Sequence, residues 1–211
     1  MRNLIRSTLP EPLLRLARAV RRGLLPGGAA TGPAEVYIVW PEGLEIPDRP
    51  FAEGFSARPM RADEVDTWVR IQCEAEEHLD IDRATFHREF TEDPATIEST
   101  CFFVTNPEGE PIGTISAWPD RDQYGREAGR PHWLAVRPAY QGLGLAKAAM
   151  VFSMKQLATR FGRLIGRTDS ARIPAIKLYL DLGFLPDLDR PNGKENWSRV
   201  KEQLPHPALE W

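Results

Sequence analysis

Residues with strong metal-binding or redox chemistry are scarce in this chain of 211 residues, which has two cysteines and four histidines. The cysteines, Cys73 and Cys101, form no Cys-x-x-Cys pair, and the histidines show no zinc-ligand spacing. This scarcity argues against a disulfide-rich secreted domain and against a zinc site. We therefore expect reduced thiols, a cytoplasmic protein and no bound metal.

A long uninterrupted apolar run is also missing, and the net charge of −3 gives no strong excess of either sign. The 27 basic and 30 acidic residues are unevenly distributed, because residues 1–34 hold six of the basic residues and one acid. The remainder has 21 basic and 29 acidic residues, a net charge of −8. An acidic body argues against nucleic acid as a partner and is compatible with a cationic amine substrate. A solvated acidic surface explains the same charge.

Residues 1–34 form a basic leader in which apolar residues recur at helical spacing and arginines separate them. The arginines exclude a secretory signal, and the segment is too short and too charged to span a bilayer. A basic amphipathic helix can lie on an anionic membrane. We favour the simpler interpretation, which is a helix docked on the domain or a mobile leader.

After the leader, the patterns predict an extra strand and a proline-rich connector over residues 35–54, followed by a main domain over residues 55–188. Within the main domain, apolar alternation and helical spacing predict the order β-α-α-β-β-β-α-β-α-β. Asp63 is the expected cap of the first helix. Residues 119–130 are the expected polar loop, and residues 189–211 are the expected helical extension.

The most informative segment joins the predicted strand at residues 132–136 to a long helical segment. Between them, residues 141–146 read Gln-Gly-Leu-Gly-Leu-Ala. A glycine-containing loop that opens a helix leaves backbone N–H groups unpaired and aimed at one point, which suits a pyrophosphate. Lys147 stands where a dinucleotide fingerprint requires its third glycine, and no Gly-Lys-Ser/Thr run of a Walker loop is present. An ordinary strand-to-helix turn is the alternative.

This loop resembles the acetyl-CoA loop of the Gcn5-related N-acetyltransferases, the GNAT family, whose signature is Gln/Arg-x-x-Gly-x-Gly/Ala. Residues 172–184 resemble the same family's Asn-x-x-Ala-x-x-Leu-Tyr-x-x-x-Gly-Phe helix, with Arg172 in place of the usual asparagine. The matching residues are Ala175, Leu178, Tyr179, Gly183 and Phe184. The resemblance covers residues 55–188 and implies the GNAT fold, an α/β (α+β) architecture with a mixed central sheet and helices on both faces. The commonest version ends in a further strand, for which only residues 204–209 are a candidate here.

The resemblance also implies which residues hold acetyl-CoA. In the family, the strand before the loop is splayed from its neighbour, and its free backbone groups pair with the pantetheine arm. The implied cofactor-binding residues are Leu134, Ala135, Val136, Gln141, Gly142, Leu143, Gly144, Leu145, Ala146, Lys147, Arg172, Ala175 and Tyr179. A fully paired, buried strand is the alternative for the first three.

Catalytic roles follow from the resemblance and from side-chain chemistry. Tyr179 matches the family's general acid, whose phenol donates to the departing sulfur, and a tyrosine that only packs is the alternative. His132 lies in a His-x-Leu-Ala-Val run similar to that of aralkylamine N-acetyltransferases, and imidazole suits a base near neutral pH. An exposed histidine at a strand end explains it equally well. Glu77 and Asp169 are alternative bases acting through water, and we also assign them to substrate binding.

The leading prediction is an N-acetyltransferase that passes an acetyl group from acetyl-CoA directly to a primary amine in a ternary complex. The acceptor is a small-molecule or peptide amine whose identity stays open. A non-catalytic acyl-CoA sensor with the same fold is the main alternative, and the presence of Tyr179 argues against it. A membrane-associated acyltransferase rests only on the basic leader. The oligomeric state, a homodimer included, stays open.

Overall fold

The computed structural model describes residues 32–76 and 80–211, so the leader up to residue 31 and Glu77 lie outside the described part. The strands are β1 (Glu35–Val39), β2 (Ser56–Pro59), β3 (Cys101–Thr105), β4 (Pro111–Arg121), β5 (Glu127–Val136), β6 (Ile165–Asp169) and β7 (Leu185–Pro186). The helices are α1 (Val65–Ala75), α2 (Arg83–Glu89), α3 (Pro94–Thr100), α4 (Leu145–Ala158), α5 (Ile173–Leu182) and α6 (Gly193–Lys201). None of the described helices combines the length and the apolar character needed to cross a membrane.

The larger sheet is antiparallel and has the strand order β2-β3-β4-β5. All residues of β3 are buried, as are six consecutive residues of β4, so these two strands form the centre of the sheet. The longest ladder joins β4 to β5, from Gly113 opposite Val136 to Arg121 opposite Glu127. This ladder positions β5 at the edge of the sheet.

The prediction of a polar loop over residues 119–130 is wrong, because β4 and β5 continue to pair there and only residues 122–126 turn. Backbone hydrogen bonds sustain the ladder whatever the side chains are. The polar side chains find partners of their own, since Arg130 Nε lies 2.7 Å from Asp120 Oδ2. Gly125, with a φ of +76°, completes the turn.

The smaller sheet has the strand order β6-β1-β7. The strand predicted outside the main domain is therefore the central strand of this sheet. The short segment considered for a last strand forms a 3₁₀ turn at Pro207–Leu209 instead. Among the described residues, no strand follows β7.

The described residues form two compact units. The first comprises residues 38–166 and 178–185, and the second comprises residues 32–37, 167–177 and 186–211. In the first unit, Trp68 lies at the core and packs edge-on against Phe86 and Trp133. In the second unit, the buried indole of Trp197 donates to the carbonyl oxygen of Tyr37 at 3.1 Å.

Short acidic side chains start two helices of the first unit. The carboxylate of Asp82 accepts a backbone N–H of α2, and that of Asp93 does the same for α3. The sequence patterns did not predict α3, because seven residues show too little periodicity. The prediction that Asp63 caps the first helix is wrong, since a 3₁₀ turn at Ala62–Glu64 precedes α1 and Glu64 occupies the cap position.

Candidate active site

The glycine loop has the geometry of an anion-binding helix start. Gly142 and Gly144 have φ values of +80° and +75°, and Gly144 caps α4 without any side-chain cap. The N–H of Ala148 bonds back to Gly144 at 3.1 Å, so the N–H groups before it lie at the positive end of the helix dipole. A Cβ at either glycine would meet no atom within 4 Å. This open, positively polarised loop fits a pyrophosphate.

Two side chains of the loop motif hold the loop in place. Gln141 Nε2 donates to the carbonyl oxygen of Val136 at 2.9 Å, which ties the loop to the end of β5. Lys147 Nζ lies 3.4 Å from Asp181 Oδ2 on α5. Leu143 stands at the loop tip with 54% of its surface exposed.

The strand β5 meets the segment just before β6 at one isolated point. The meeting point is a parallel bridge between Gly129 and Leu164, where the Gly129 N–H donates to the Arg163 carbonyl oxygen at 2.9 Å. Across the described ranges, the stretch at residues 130–136 has β4 on one side and no strand on the other. The strand position on that side is open to a ligand that adds like a strand, although the Pro131 carbonyl oxygen already accepts the hydroxyl of Tyr179. The three residues predicted to contact the pantetheine arm lie in this stretch.

Tyr179 lies on α5 beside the free side of β5. Its hydroxyl donates to the carbonyl oxygen of Pro131 across 3.4 Å. The ring packs edge-on against Phe184, and Gly166 makes room for it, because a Cβ at that glycine would lie 3.0 Å from Tyr179 Cε1. Burial raises the pKa of Tyr179 to about 12, and the charge of Arg130 opposes this shift. The phenol is therefore a protonated donor at neutral pH.

A β-bulge interrupts β5 near its C-terminal end. The register shifts between Thr114 and Ser116, so that Ile115 on β4 faces both Trp133 and Leu134 on β5. Trp133 has a φ of +50°, a conformation that a bulky residue rarely adopts. The bulge breaks the alternation by which consecutive side chains of a strand point to opposite faces.

The bulge brings His132 and Trp133 to one carboxylate. Trp133 Nε1 donates to Glu89 Oε2 at 3.4 Å, and His132 Nε2 lies 3.8 Å from the same oxygen. The ring of Phe90 packs against His132 and Trp118, with centroid distances of 5.2 and 5.1 Å. The His132 side chain is 10% exposed, whereas that of Glu89 is 29% exposed, so the imidazole is largely buried and the carboxylate reaches solvent. The carboxylate and the ring of Phe90 together restrict the orientation of the imidazole.

The structure adds Glu89 to the candidate residues. The other candidates do not all lie in the same unit as His132 and Tyr179. Glu89 could not be recognised from the sequence, because nothing in the short helix α2 distinguishes it from the other charged residues. Glu77 lies outside the described residues. Asp169 belongs to the second unit, where its Oδ1 accepts a backbone N–H at 2.8 Å in the turn before α5. Arg172 and Ala175 lie in that second unit too.

Comparison with known families agrees with this geometry. A family model described as "Acetyltransferase (GNAT) family" matches residues 60–184, more than half of the chain. The chain belongs to the GNAT family of acetyltransferases. No curated protein matches the chain in sequence.

Solved structures confirm the predicted GNAT fold. A GCN5-related N-acetyltransferase from Sphaerobacter thermophilus has a TM-score of 0.55 and 18% identity, over 83% of this chain and 53% of that one. A GNAT-family acetyltransferase from Colwellia psychrerythraea has a TM-score of 0.56 and 16% identity, over 72% of this chain and 52% of that one. The likeness at such identities concerns the fold alone, and this chain spans about half the length of either neighbour.

The GNAT match begins after β2 and ends at Phe184, just before β7. The glycine loop, the free side of β5, His132 and Tyr179 all fall inside it. By contrast, β1 lies outside it, although β1 is the central strand of the smaller sheet.

Proposed function

We propose that this GNAT protein is an acetyl-CoA-dependent N-acetyltransferase that transfers the acetyl group directly to a primary amine. The proposal is carried by three features that occur together in one compact unit: the open glycine loop, the free side of β5 and the buried phenol of Tyr179. They suit, in turn, the pyrophosphate, the amide-bearing arm and the sulfur of an acyl-CoA.

Binding is assigned to backbone groups. The N–H groups at the start of α4 hold the pyrophosphate, and the free side of β5 pairs with the pantetheine amides. Acetyl-CoA supplies an acyl group that is already activated as a thioester. The chain holds both reactants in line, which removes much of the entropic part of the barrier.

Proton transfer is assigned to two side chains. His132, oriented by Glu89, accepts the proton that the amine must lose. Tyr179 donates a hydrogen bond, and then its proton, to the departing sulfur. The raised pKa of Tyr179 keeps this donor protonated but weakens it as an acid, and the charge of Arg130 counteracts part of that weakening.

The buried Cys101 argues for direct transfer rather than an acyl-enzyme on that thiol. Cys101 is 1% exposed, and burial raises the pKa of its thiol, so that little nucleophilic thiolate forms. Cys73 is exposed, and its thiol donates to the carbonyl oxygen of Ile81 at 3.2 Å. Attack by the amine on the thioester within a ternary complex is the proposed route.

A thiol-release assay tests the proposal. The purified protein is incubated with acetyl-CoA and separate panels of amino acids, polyamines, arylalkylamines and peptide N-termini. We expect at least one class to release thiol in step with an acetylated product seen by mass spectrometry. Tight binding of acetyl-CoA in calorimetry without release by any class would favour the acyl-CoA sensor. Absence of acetyl-CoA binding would overturn both functions.

A further inference from the structure

A closed triangle of buried hydrogen bonds holds the bulge of β5. Gln72 on α1 donates from Nε2 to Thr114 Oγ1 at 2.7 Å and to the Trp133 carbonyl oxygen at 3.0 Å. Thr114 Oγ1 donates to the same carbonyl at 2.8 Å. Gln72 is 3% exposed and Thr114 is 1% exposed, so water does not compete for these bonds. Both amide hydrogens and the hydroxyl hydrogen are used, which fixes the direction of each bond.

The triangle stabilises an unfavourable backbone conformation at Trp133. The positive φ of Trp133 is unfavourable for a bulky residue, and it persists only where surrounding contacts impose it. A regular strand would send His132 and Trp133 to opposite faces. In the bulged strand, both side chains reach Glu89 Oε2. The bonds that hold the bulge therefore also set the direction of the imidazole.

We propose that Gln72 and Thr114 are positioning residues that lock the bulge and thereby hold the His132 imidazole against Glu89. This inference rests on the proposed function, in which His132 is the base. It accounts for two polar side chains beside an otherwise apolar core, since each is satisfied by the other and by the bulged carbonyl. An apolar pair would remove two donors from a buried carbonyl, which is unfavourable.

Thr114→Val tests the lock, because it removes the hydroxyl and keeps the shape of the side chain. Thr100→Val is the matched control, since Thr100 is also 1% exposed and its hydroxyl donates to the carbonyl oxygen of Thr96. We expect Thr114→Val to lower kcat about tenfold and to leave the Kd for acetyl-CoA within about twofold. Thr100→Val should change the melting temperature and not kcat, and Thr114→Ser should recover kcat.

A second measurement, the NMR titration of the His132 imidazole, needs no substrate. Thr114→Val should lower the titration midpoint by about 0.3 pH unit or more, because the imidazole moves away from a carboxylate. Gln72→Met replaces it if the valine variant does not fold. The proposal is overturned if the lock variant matches Thr100→Val in both kcat and midpoint. A shifted midpoint in a protein that releases no thiol with any amine would contradict the proposed function. It would still support the role of Gln72 and Thr114 in holding the bulge.

Discussion

Tyr179 carries a hydroxyl that can be tested apart from its ring. Tyr179→Phe leaves the ring packed against Phe184, so we expect the fold to persist. We expect kcat to fall about 100-fold while the Kd for acetyl-CoA changes little, because charge on the sulfur develops only late in the reaction. Steady-state kinetics and calorimetry measure the two quantities, and Tyr124→Phe, at a tyrosine that is 67% exposed, is the control. A normal kcat would assign Tyr179 to packing and strengthen the case for an acyl-CoA sensor.

His132 can be tested by its effect on the pH profile. The profile of kcat/KM should fall on the acid side with a midpoint between about pH 6 and 7.5, and His132→Ala should lower kcat/KM about 100-fold. Glu89→Gln should move the midpoint to lower pH, because the imidazolium loses a neighbouring negative charge. His206→Ala, in the second unit, is the control. Wild-type rates in His132→Ala would move the role of base to Asp169 or Glu77.

Substitutions in the glycine loop can distinguish the effect of an added negative charge from the effect of backbone strain. Gly144→Asp places a negative charge where the N–H groups of α4 converge, so the Kd for acetyl-CoA should rise more than about tenfold, or 1.4 kcal/mol. Gly125→Asp is a matched control, because its φ of +76° is close to the +75° of Gly144 and both sites have open space for a Cβ. Gly144→Asn tests the shape without the charge. Equal acetyl-CoA affinities in the two aspartate variants would show that the loop is not the anion site.

Helices and strands with strong local signals could be predicted, whereas the contacts between them could not. The motif at residues 172–184 predicts a helix there because it is a local signal, and the structure shows α5 at Ile173–Leu182. The bulge at Trp133 leaves no mark on the apolar pattern of β5. Gln72 and Thr114 are 42 positions apart in the sequence, and Glu89 lies on helix α2 whereas His132 lies on strand β5. Such pairs depend on tertiary packing, which periodicity does not encode.

The buried phenol makes the stability of the protein depend on alkaline pH. The pKa of Tyr179 rises from 10.0 to about 12 on folding, so the folded chain holds this proton more tightly than the unfolded chain. The contribution is fully present below pH 10 and is lost as the pH rises through 12. At about 1.4 kcal/mol per pKa unit, the loss is of the order of 2 to 3 kcal/mol. Urea unfolding from pH 8 to 12 should show a steeper decline for the wild type than for Tyr179→Phe, and equal slopes would contradict this.

Because β1 is the central strand, the smaller sheet can form only after β6 and β7 have been synthesised. The ribosome makes β1, which ends at Val39, before its neighbours β6 and β7, which begin at Ile165 and Leu185. At 5–20 residues per second, roughly 6 to 25 s pass between the synthesis of β1 and that of β6. Throughout that interval both edges of β1 lack their final neighbours, and such edges pair readily with other chains. A fragment limited to residues 60–184 would lack this strand, so the family region by itself is not expected to complete the smaller sheet.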